Sequence, residues 1–261
     1  MSLLSLIPPI LLNALLQHKS YLVGGAVRDF ILGNTCIKDF DFVLFGVADL
    51  ETLTRKIADQ AAASFVILDA DNRTYRIITQ EWQADFASPR GDNITQDLQA
   101  RDFTINALAF CLSNEELIDP LKGQSDLHSG LLRMISEKNL LEDPLRLLRP
   151  FRIAAQLKPF KTFRIEENTL QSIQKLTASL SANTTKAPEK EITYTVAPER
   201  ISAELWALLS STNCFNELKA LFDCGLWETI FPEFKAQREV PPNDFHHLPL
   251  PEHTFELVRQ Y

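Results

Sequence analysis

The sequence predicts an α+β protein, a sheet domain followed by a helical region. Three observations carry that expectation. Short apolar runs bounded by turn residues recur from Tyr21 to Ala87, as strands do. From about Leu141 onward the apolar residues fall three and four apart, as on helices. Between Tyr21 and Phe45, the stretch YLVGGAVRDFILGNTCIKDFDFVLF reads as strand, glycine pair, helix and second strand.

That stretch carries the first chemistry. Gly24 and Gly25 have no side chain, so the backbone can approach a phosphate and offer bare N–H groups. The helix opening at Ala26 points its positive end to the same place. Arg28 lies on its first turn, within reach of an anionic oxygen. Asp39 and Asp41, two apart on a strand, face one side, while Phe40, Phe42, Val43, Leu44 and Phe45 make that strand apolar. Two adjacent carboxylates repel each other, and a hard cation such as Mg²⁺ removes the conflict. It takes one or two protein carboxylates and completes its shell with water and phosphate oxygens. Either feature alone reads as an ordinary turn or a solvated pair. Joined by one helix with an arginine, they point to a nucleoside triphosphate.

The totals bound the class. A chain of 261 residues, 45% hydrophobic and 23% charged, is ordinary globular material, long enough for two domains. A net charge of −8 excludes a uniformly basic nucleic-acid binder, so any such contact needs a local basic surface. Residues 133–164 supply one candidate, with eight Lys or Arg against three Asp or Glu. The cysteines Cys36, Cys111, Cys214 and Cys224 lack metal or CxxC spacing and fit a reduced, cytoplasmic setting. The apolar N-terminus carries no basic n-region and is broken by Pro8 and Pro9. It reads as an amphipathic helix from Pro9 to Gln17, neither signal peptide nor membrane span.

The remaining elements follow in order. A helix is expected over about Asp49–Ala63, from Leu50, Leu53, Ile57 and Ala61. Ser64–Asp69 reads as a buried strand, Asp71-Asn72 as a turn, and Arg73–Thr79 and Trp82–Ala87 as further strands. The last carries Asp85, either a third catalytic carboxylate near Asp39 and Asp41 or a strand-end aspartate bonded to backbone. Residues 89–96 (PRGDNITQ) read as a polar loop, either gating the substrate or simply lying on the surface. In Arg101–Phe110 (RDFTINALAF), Arg101, Asp102 and Asn106 are polar groups on an apolar segment and need partners. Arg101 and Asp102 either serve phosphate and ribose hydroxyl or bond each other.

Asp119-Pro120 and Gly123 are turn signals before a short helix leading out of the sheet domain. Leu141–Leu157 (LEDPLRLLRPFRIAAQL) reads as a helix with Asp143 as N-cap and Pro144 at its first position. Asp143 and Arg146 share a face at a spacing of three, and Arg149 and Arg152 continue round the surface. Pro150 removes a hydrogen bond and clashes one turn back, costing roughly 3 kcal/mol, so a kink or break is expected near Arg146–Pro150. Residues 177–196 read as a Ser/Thr-rich loop, then helices over Pro198–Leu209 and about Asn213–Cys224, ended by Gly225. Glu233–Pro251 is Pro-rich and irregular, and Glu252–Arg259 begins a helix that stops almost at once, as an incomplete chain would.

Six ordered motifs, YLVGGAVRD, KDFDFV, RDFTINALAF, IDPLKGQSDL, EDPLRLLRPFR and PERISAEL, closely resemble the class II tRNA nucleotidyltransferases. These are the CCA-adding enzymes with their CC-adding, A-adding and bacterial poly(A) polymerase relatives. The resemblance spans roughly Tyr21–Leu209. It implies a polymerase-β-like head over 1–135, a helical neck over 136–210 and the truncated start of a helical body over 211–261. It implies two Mg²⁺ ions held by Asp39 and Asp41, triphosphate contacts from Gly25 and Arg28, and nucleotide or ribose contacts from Arg101 and Asp102. It implies that Asp143 and Arg146 select the incoming base, with Arg149 and Arg152 nearby. C and A both present an amino donor beside a ring-nitrogen acceptor, which an aspartate and an arginine can read together. U and G reverse the order and would leave buried groups unsatisfied.

The implied activity is addition of C or A from CTP and ATP to the 3′ end of tRNA, without a membrane partner. Within the class the alternatives are A-only, CC-only or poly(A) addition, and outside it a non-catalytic nucleotide- or RNA-binding remnant. Two departures stand out. Ala100 replaces a second basic residue before RDF, and Pro150 interrupts the neck helix. The segment FHHLPLPEHTFELVRQY resembles the start of an HD phosphohydrolase-like domain, but the rest of that metal site is absent. His246, His247 and His253 are therefore read as loop histidines.

Overall fold

A computed structural model describes residues 2–180, 182–184, 192–194, 196–241 and 248–260. It divides into two units, Met1–Ile135 and Ser136–Tyr261.

The first unit is built on a seven-stranded sheet ordered β3-β4-β5-β2-β1-β6-β7. The strands are β1 Lys19–Val23, β2 Asp39–Phe45, β3 Ser64–Asp69, β4 Thr74–Ile78, β5 Gln83–Ala87, β6 Ala109–Cys111 and β7 Leu117–Ile118. Only β2 and β5 run parallel within it; every other neighbouring pair is antiparallel. The helices are α1 Pro9–Leu15, α2 Gly25–Ile31, α3 Leu50–Gln60, α4 Ile94–Gln99 and α5 Gly123–Ser129. In β2, burial alternates at the start, with Asp39 and Asp41 exposed and Phe40 and Phe42 buried. The Phe42 ring lies 5.6 Å from that of Phe86 on β5, so period-2 alternation sends the rings into the core and both carboxylates to the other face. Each buried ring contributes on the order of 1.5–3 kcal/mol.

Two expectations are corrected in this unit. β3 is not buried: Val66, Ile67 and Leu68 are 37%, 45% and 43% exposed. It is the edge strand, paired on one side with β4 alone. A continuous apolar run cannot by itself distinguish an edge from a centre. The polar stretch 89–96 is a loop only as far as Asn93. Ile94 opens α4, capped by Asn93, whose Oδ1 accepts from Gln96 N at 3.0 Å.

The second unit is helical: α6 Glu137–Glu142, α7 Arg149–Leu157, α8 Glu167–Leu176, α9 Pro198–Leu209, α10 Phe215–Asp223, α11 Leu226–Ile230 and α12 Leu250–Gln260. α7 packs against α9 and α10. Buried there are Phe151 and Ile153 of α7, Leu205 and Leu208 of α9, and Leu221 of α10. Leu141–Leu157 is not one helix. α6 ends at Glu142, Pro144–Leu147 forms a 3₁₀ turn, and α7 starts afresh at Arg149. The break falls where Pro150 required it. Pro150 now occupies the second position of α7, where its missing N–H needs no partner.

Within 177–196, Thr177–Leu180 is 3₁₀ and Ala182–Thr184 pairs antiparallel with Ile192–Tyr194; residues 185–191 lie outside the described residues. The stretch read as irregular carries a 3₁₀ helix over Pro232–Glu239. His246 and His247 lie outside the described residues, whereas His253 sits in α12 rather than a loop. No helix among the described residues is long and apolar enough to cross a membrane.

Candidate active site

Gly24 sits between β1 and α2 at φ 71°, ψ −132°, a conformation that glycine adopts readily and other residues resist. Its N–H donates to Leu108 O at 3.1 Å, tying the turn to the segment before β6. A Cβ on Gly24 would lie 3.1 Å from Arg101 Nη1 and 3.4 Å from Asp41 Oδ2. One glycine therefore brings a cation and a carboxylate to the same spot, and both approach because no side chain intervenes.

Arg101 is aimed by a residue that sequence reasoning missed. The buried Asp97 of α4 accepts from Arg101 Nε and Nη2 at 3.3 and 3.1 Å through one oxygen. Its other oxygen accepts from Arg90 N at 3.0 Å. The i,i+4 spacing of Asp97 and Arg101 was a usable signal, had α4 been recognised as a helix. Arg28 donates through Nε to Asp29 Oδ1 at 2.7 Å and through Nη1 to Asn106 Oδ1 at 2.8 Å. Asn106 Nδ2 donates in turn to Asp102 Oδ1 at 3.1 Å, which also accepts from Phe103 N. Asp102 and Asn106 are buried, so this chain of bonds orients Arg28 from beneath. Arg101 and Asp102, adjacent in sequence, thus serve different ends of the site.

Asp39 and Asp41 share the exposed face of β2. Asp41 also stands opposite Val23, the residue before Gly24, in the register of β1 and β2. The donor set is two hard carboxylates beside an anion-accessible turn, which fits a hard divalent cation that shares its shell with phosphate oxygens. Asp85 stands opposite Asp41 in the register of β2 and β5. Its carboxylate is not bonded to backbone: it accepts from Arg76 Nε and Nη2 at 2.6 and 2.8 Å, a fork sequence reading overlooked. The bonded Asp85 carboxylate holds the Arg76 pKa above its usual value; burial acts against it, and the more distant Asp41 and Asp39 add to the rise.

In the second unit, Asp143 caps the 3₁₀ turn rather than a long helix, accepting from Leu145 N at 3.3 Å. Its other oxygen accepts from Arg200 of α9 at 2.7 Å. Arg146 is buried and donates to Asn139 O at 2.8 Å. Arg152 bonds Glu204 Oε2 at 2.5 Å and Gln156 Oε1 at 2.7 Å. Arg149 begins α7 one residue before Pro150. The basic stretch is therefore partly neutralised: Arg152 pairs with Glu204 and Lys158 with Glu217. Arg200 and Glu204 come from the PERISAEL motif, whose partners lie too far away in sequence to be read locally.

The site thus joins a glycine turn to the Asp41 carboxylate and the Arg101 guanidinium, with Asp39 on the same face of β2. The family described as Poly A polymerase head domain matches residues 20–133, and that described as Probable RNA and SrmB-binding site of polymerase A matches 191–238. By these matches the chain is similar to poly(A) polymerases and tRNA nucleotidyltransferases. It is 38% identical over 214 residues to a CC-adding tRNA nucleotidyltransferase of Synechocystis sp., covering 82% of this chain and 47% of that protein. It is 35% identical over 239 residues to an A-adding tRNA nucleotidyltransferase of Deinococcus radiodurans, covering 92% and 51%. Among solved structures, the Thermotoga maritima CCA-adding enzyme complexed with tRNA superposes with a TM-score of 0.67 at 28% identity, over 88% of this chain and 55% of that one. The chain spans about half the length of the curated relatives it matches.

Proposed function

We propose that this chain carries the head, neck and body residues of a template-independent RNA nucleotidyltransferase, cytoplasmic, adding C, A or both from CTP and ATP to the 3′ end of tRNA. The division proposed is head 1–135, neck 136–210 and body 211–261. The observation that carries the reading is the approach of Asp41 and Arg101 to the bare Gly24 turn. The names of the CC-adding and A-adding relatives support the same chemistry.

In this reading the N–H of Gly25, with Arg28 and Arg101, binds and orients the triphosphate, while Gly24, whose own N–H is held by Leu108 O, leaves the turn open to it. Asp39 and Asp41 hold Mg²⁺, and Asp85 is the third carboxylate of the site. When bound, the cation supplies the positive charge that favours an ionised 3′-hydroxyl and offsets the departing pyrophosphate. Asp102 and Asn106 keep Arg28 in place. Asp143 accepts from the amino group of C or A while Arg146 donates to the ring nitrogen, so a protein pair serves as template. Arg149 and Arg152 border that pair.

The test is single-nucleotide extension of tRNAs ending before, within and after CCA, with wild type and Asp39→Ala. Incorporation of CTP or ATP label that Asp39→Ala abolishes in a folded protein is the expected result. Retained incorporation defeats the assignment. The names of the CC-adding and A-adding relatives support a narrower second reading, CC-only or A-only addition, which the same tRNA ends separate. Repeated A addition would mark a poly(A) polymerase. Nucleotide binding without any transfer would mark a non-catalytic remnant.

A further inference from the structure

The row of residues that crosses the sheet at Asp41 continues through two more charged side chains. Asp41 stands opposite Asp85 across β2 and β5, and Asp85 stands opposite Arg76 across β5 and β4. Residues paired in register project from the same face, with neighbouring strands roughly 4.8 Å apart. Asp39 projects from that face as well, two residues along β2. Three carboxylates and one guanidinium therefore share one strip of the sheet. The guanidinium grips Asp85 with both Nε and Nη2, at 2.6 and 2.8 Å, while remaining within the field of Asp41 and Asp39. The proposed reaction gives roles to the carboxylates and none to Arg76.

We infer that Arg76 is a resident counter-ion of the carboxylate row: it anchors Asp85 in a fork and competes, by charge, with the divalent cation that Asp39 and Asp41 take up. The inference rests on the reading that Asp39 and Asp41 hold such a cation. Without the cation, Arg76 offsets repulsion among the carboxylates. With it, Arg76 lies close to a second positive centre and weakens its retention, leaving the site able to release the cation together with a charged product. A purely structural arginine would stabilise the sheet equally with and without metal. A counter-ion must instead couple stability to metal.

The experiment is Mn²⁺ titration of the full chain, followed by the loss of the free-ion electron paramagnetic resonance signal, for wild type, Arg76→Gln, Arg76→Lys and Asp39→Asn. Arg76→Gln is expected to bind Mn²⁺ about tenfold more tightly, the scale of removing one nearby charge at intermediate dielectric. Arg76→Lys, which keeps the charge and loses the fork, is expected to bind as wild type does. Thermal unfolding of Arg76→Gln is expected to fall below wild type in chelator and to recover in saturating Mg²⁺. Unchanged or weaker Mn²⁺ affinity in Arg76→Gln, or the same gain in Arg76→Lys, overturns the inference while leaving the metal site intact. Failure of Arg76→Gln to fold at any metal concentration also overturns it, because the cation should replace the lost charge. Wild-type Mn²⁺ binding that is absent or indifferent to Asp39→Asn overturns the metal reading itself, and the inference with it.

Discussion

Asp97 holds Arg101 from one turn below in sequence, accepting from its Nε and Nη2 at 3.3 and 3.1 Å, and aims the guanidinium at the Gly24 turn. The carboxylate is buried and its second oxygen fastens Arg90 N, so the approach to α4 and the arginine of the site depend on one side chain. Asp97→Asn keeps the shape and removes the charge. Expected outcomes are a stability loss of about 1–3 kcal/mol in urea unfolding and weaker CTP and ATP binding by calorimetry. Unchanged nucleotide affinity would show that Arg101 needs no such support.

Gly24→Ala tests the turn. The positive φ of 71° already strains an alanine by roughly 1–3 kcal/mol, and its Cβ would press on Arg101 Nη1 at 3.1 Å. Nucleotide transfer should fall by at least about tenfold while the circular dichroism spectrum stays native, since about 1.4 kcal/mol of misplacement suffices for a factor of ten. Transfer at the wild-type rate would mean that the turn does not contact the reacting nucleotide.

Gly123→Ala tests the packing of α5 against the segment that carries Asp102, Asn106 and Leu108. A Cβ there would collide with Thr104 O and lie 3.1 Å from Leu108 Cδ2, and backbone cannot yield as a side-chain tip can. Destabilisation of at least about 1–3 kcal/mol is expected on chemical denaturation. Gly33→Ala is the control: it has positive φ but nothing within 4 Å of its Cβ, so only the backbone cost of about 1–2 kcal/mol applies. Equal losses in the two variants would contradict the assigned clash.

Asp143→Ala removes the acceptor proposed to read the amino group of C and A. Selection of CTP over UTP, and of ATP over GTP, is expected to fall by roughly ten- to a hundredfold in single-nucleotide extension. Because Asp143 also accepts from Arg200, the stability of the variant should be measured alongside. Preserved selectivity in a folded variant would assign base choice elsewhere.

The cysteines give a test independent of function. Burial pushes the Cys224 thiol up to about 11, so it stays protonated and shielded at neutral pH, whereas Cys36 is exposed. A thiol reagent should modify Cys36 rapidly in the native protein and Cys224 only on unfolding. Rapid native labelling of Cys224 would place that helix end in solvent.

Much of the fold was legible because its signals are local. Pro198–Leu209 spans the same residues as α9, and Ser64–Asp69 the same as β3. The break expected near Arg146–Pro150 followed from one proline, and α7 does start afresh at Arg149. Burial of β3 was misread, since strand order is not written within the strand. The short strands Ala109–Cys111 and Leu117–Ile118 were missed because two or three residues carry no periodicity. The start of α4 was hidden in a run that looked like a polar loop.

By itself, the sequence determined which residues face together on one element: Asp39 with Asp41 on a strand, and the glycines at a strand-to-helix turn. These follow from the two-residue repeat of strands and from glycine's freedom at positive φ, properties of a few adjacent residues. Tertiary structure alone decided the partners across elements: Arg76 with Asp85, Arg28 with Asn106, Asp143 with Arg200, Arg152 with Glu204. Those pairings depend on strand register and helix packing, which many distant contacts set together and which no short stretch of sequence contains.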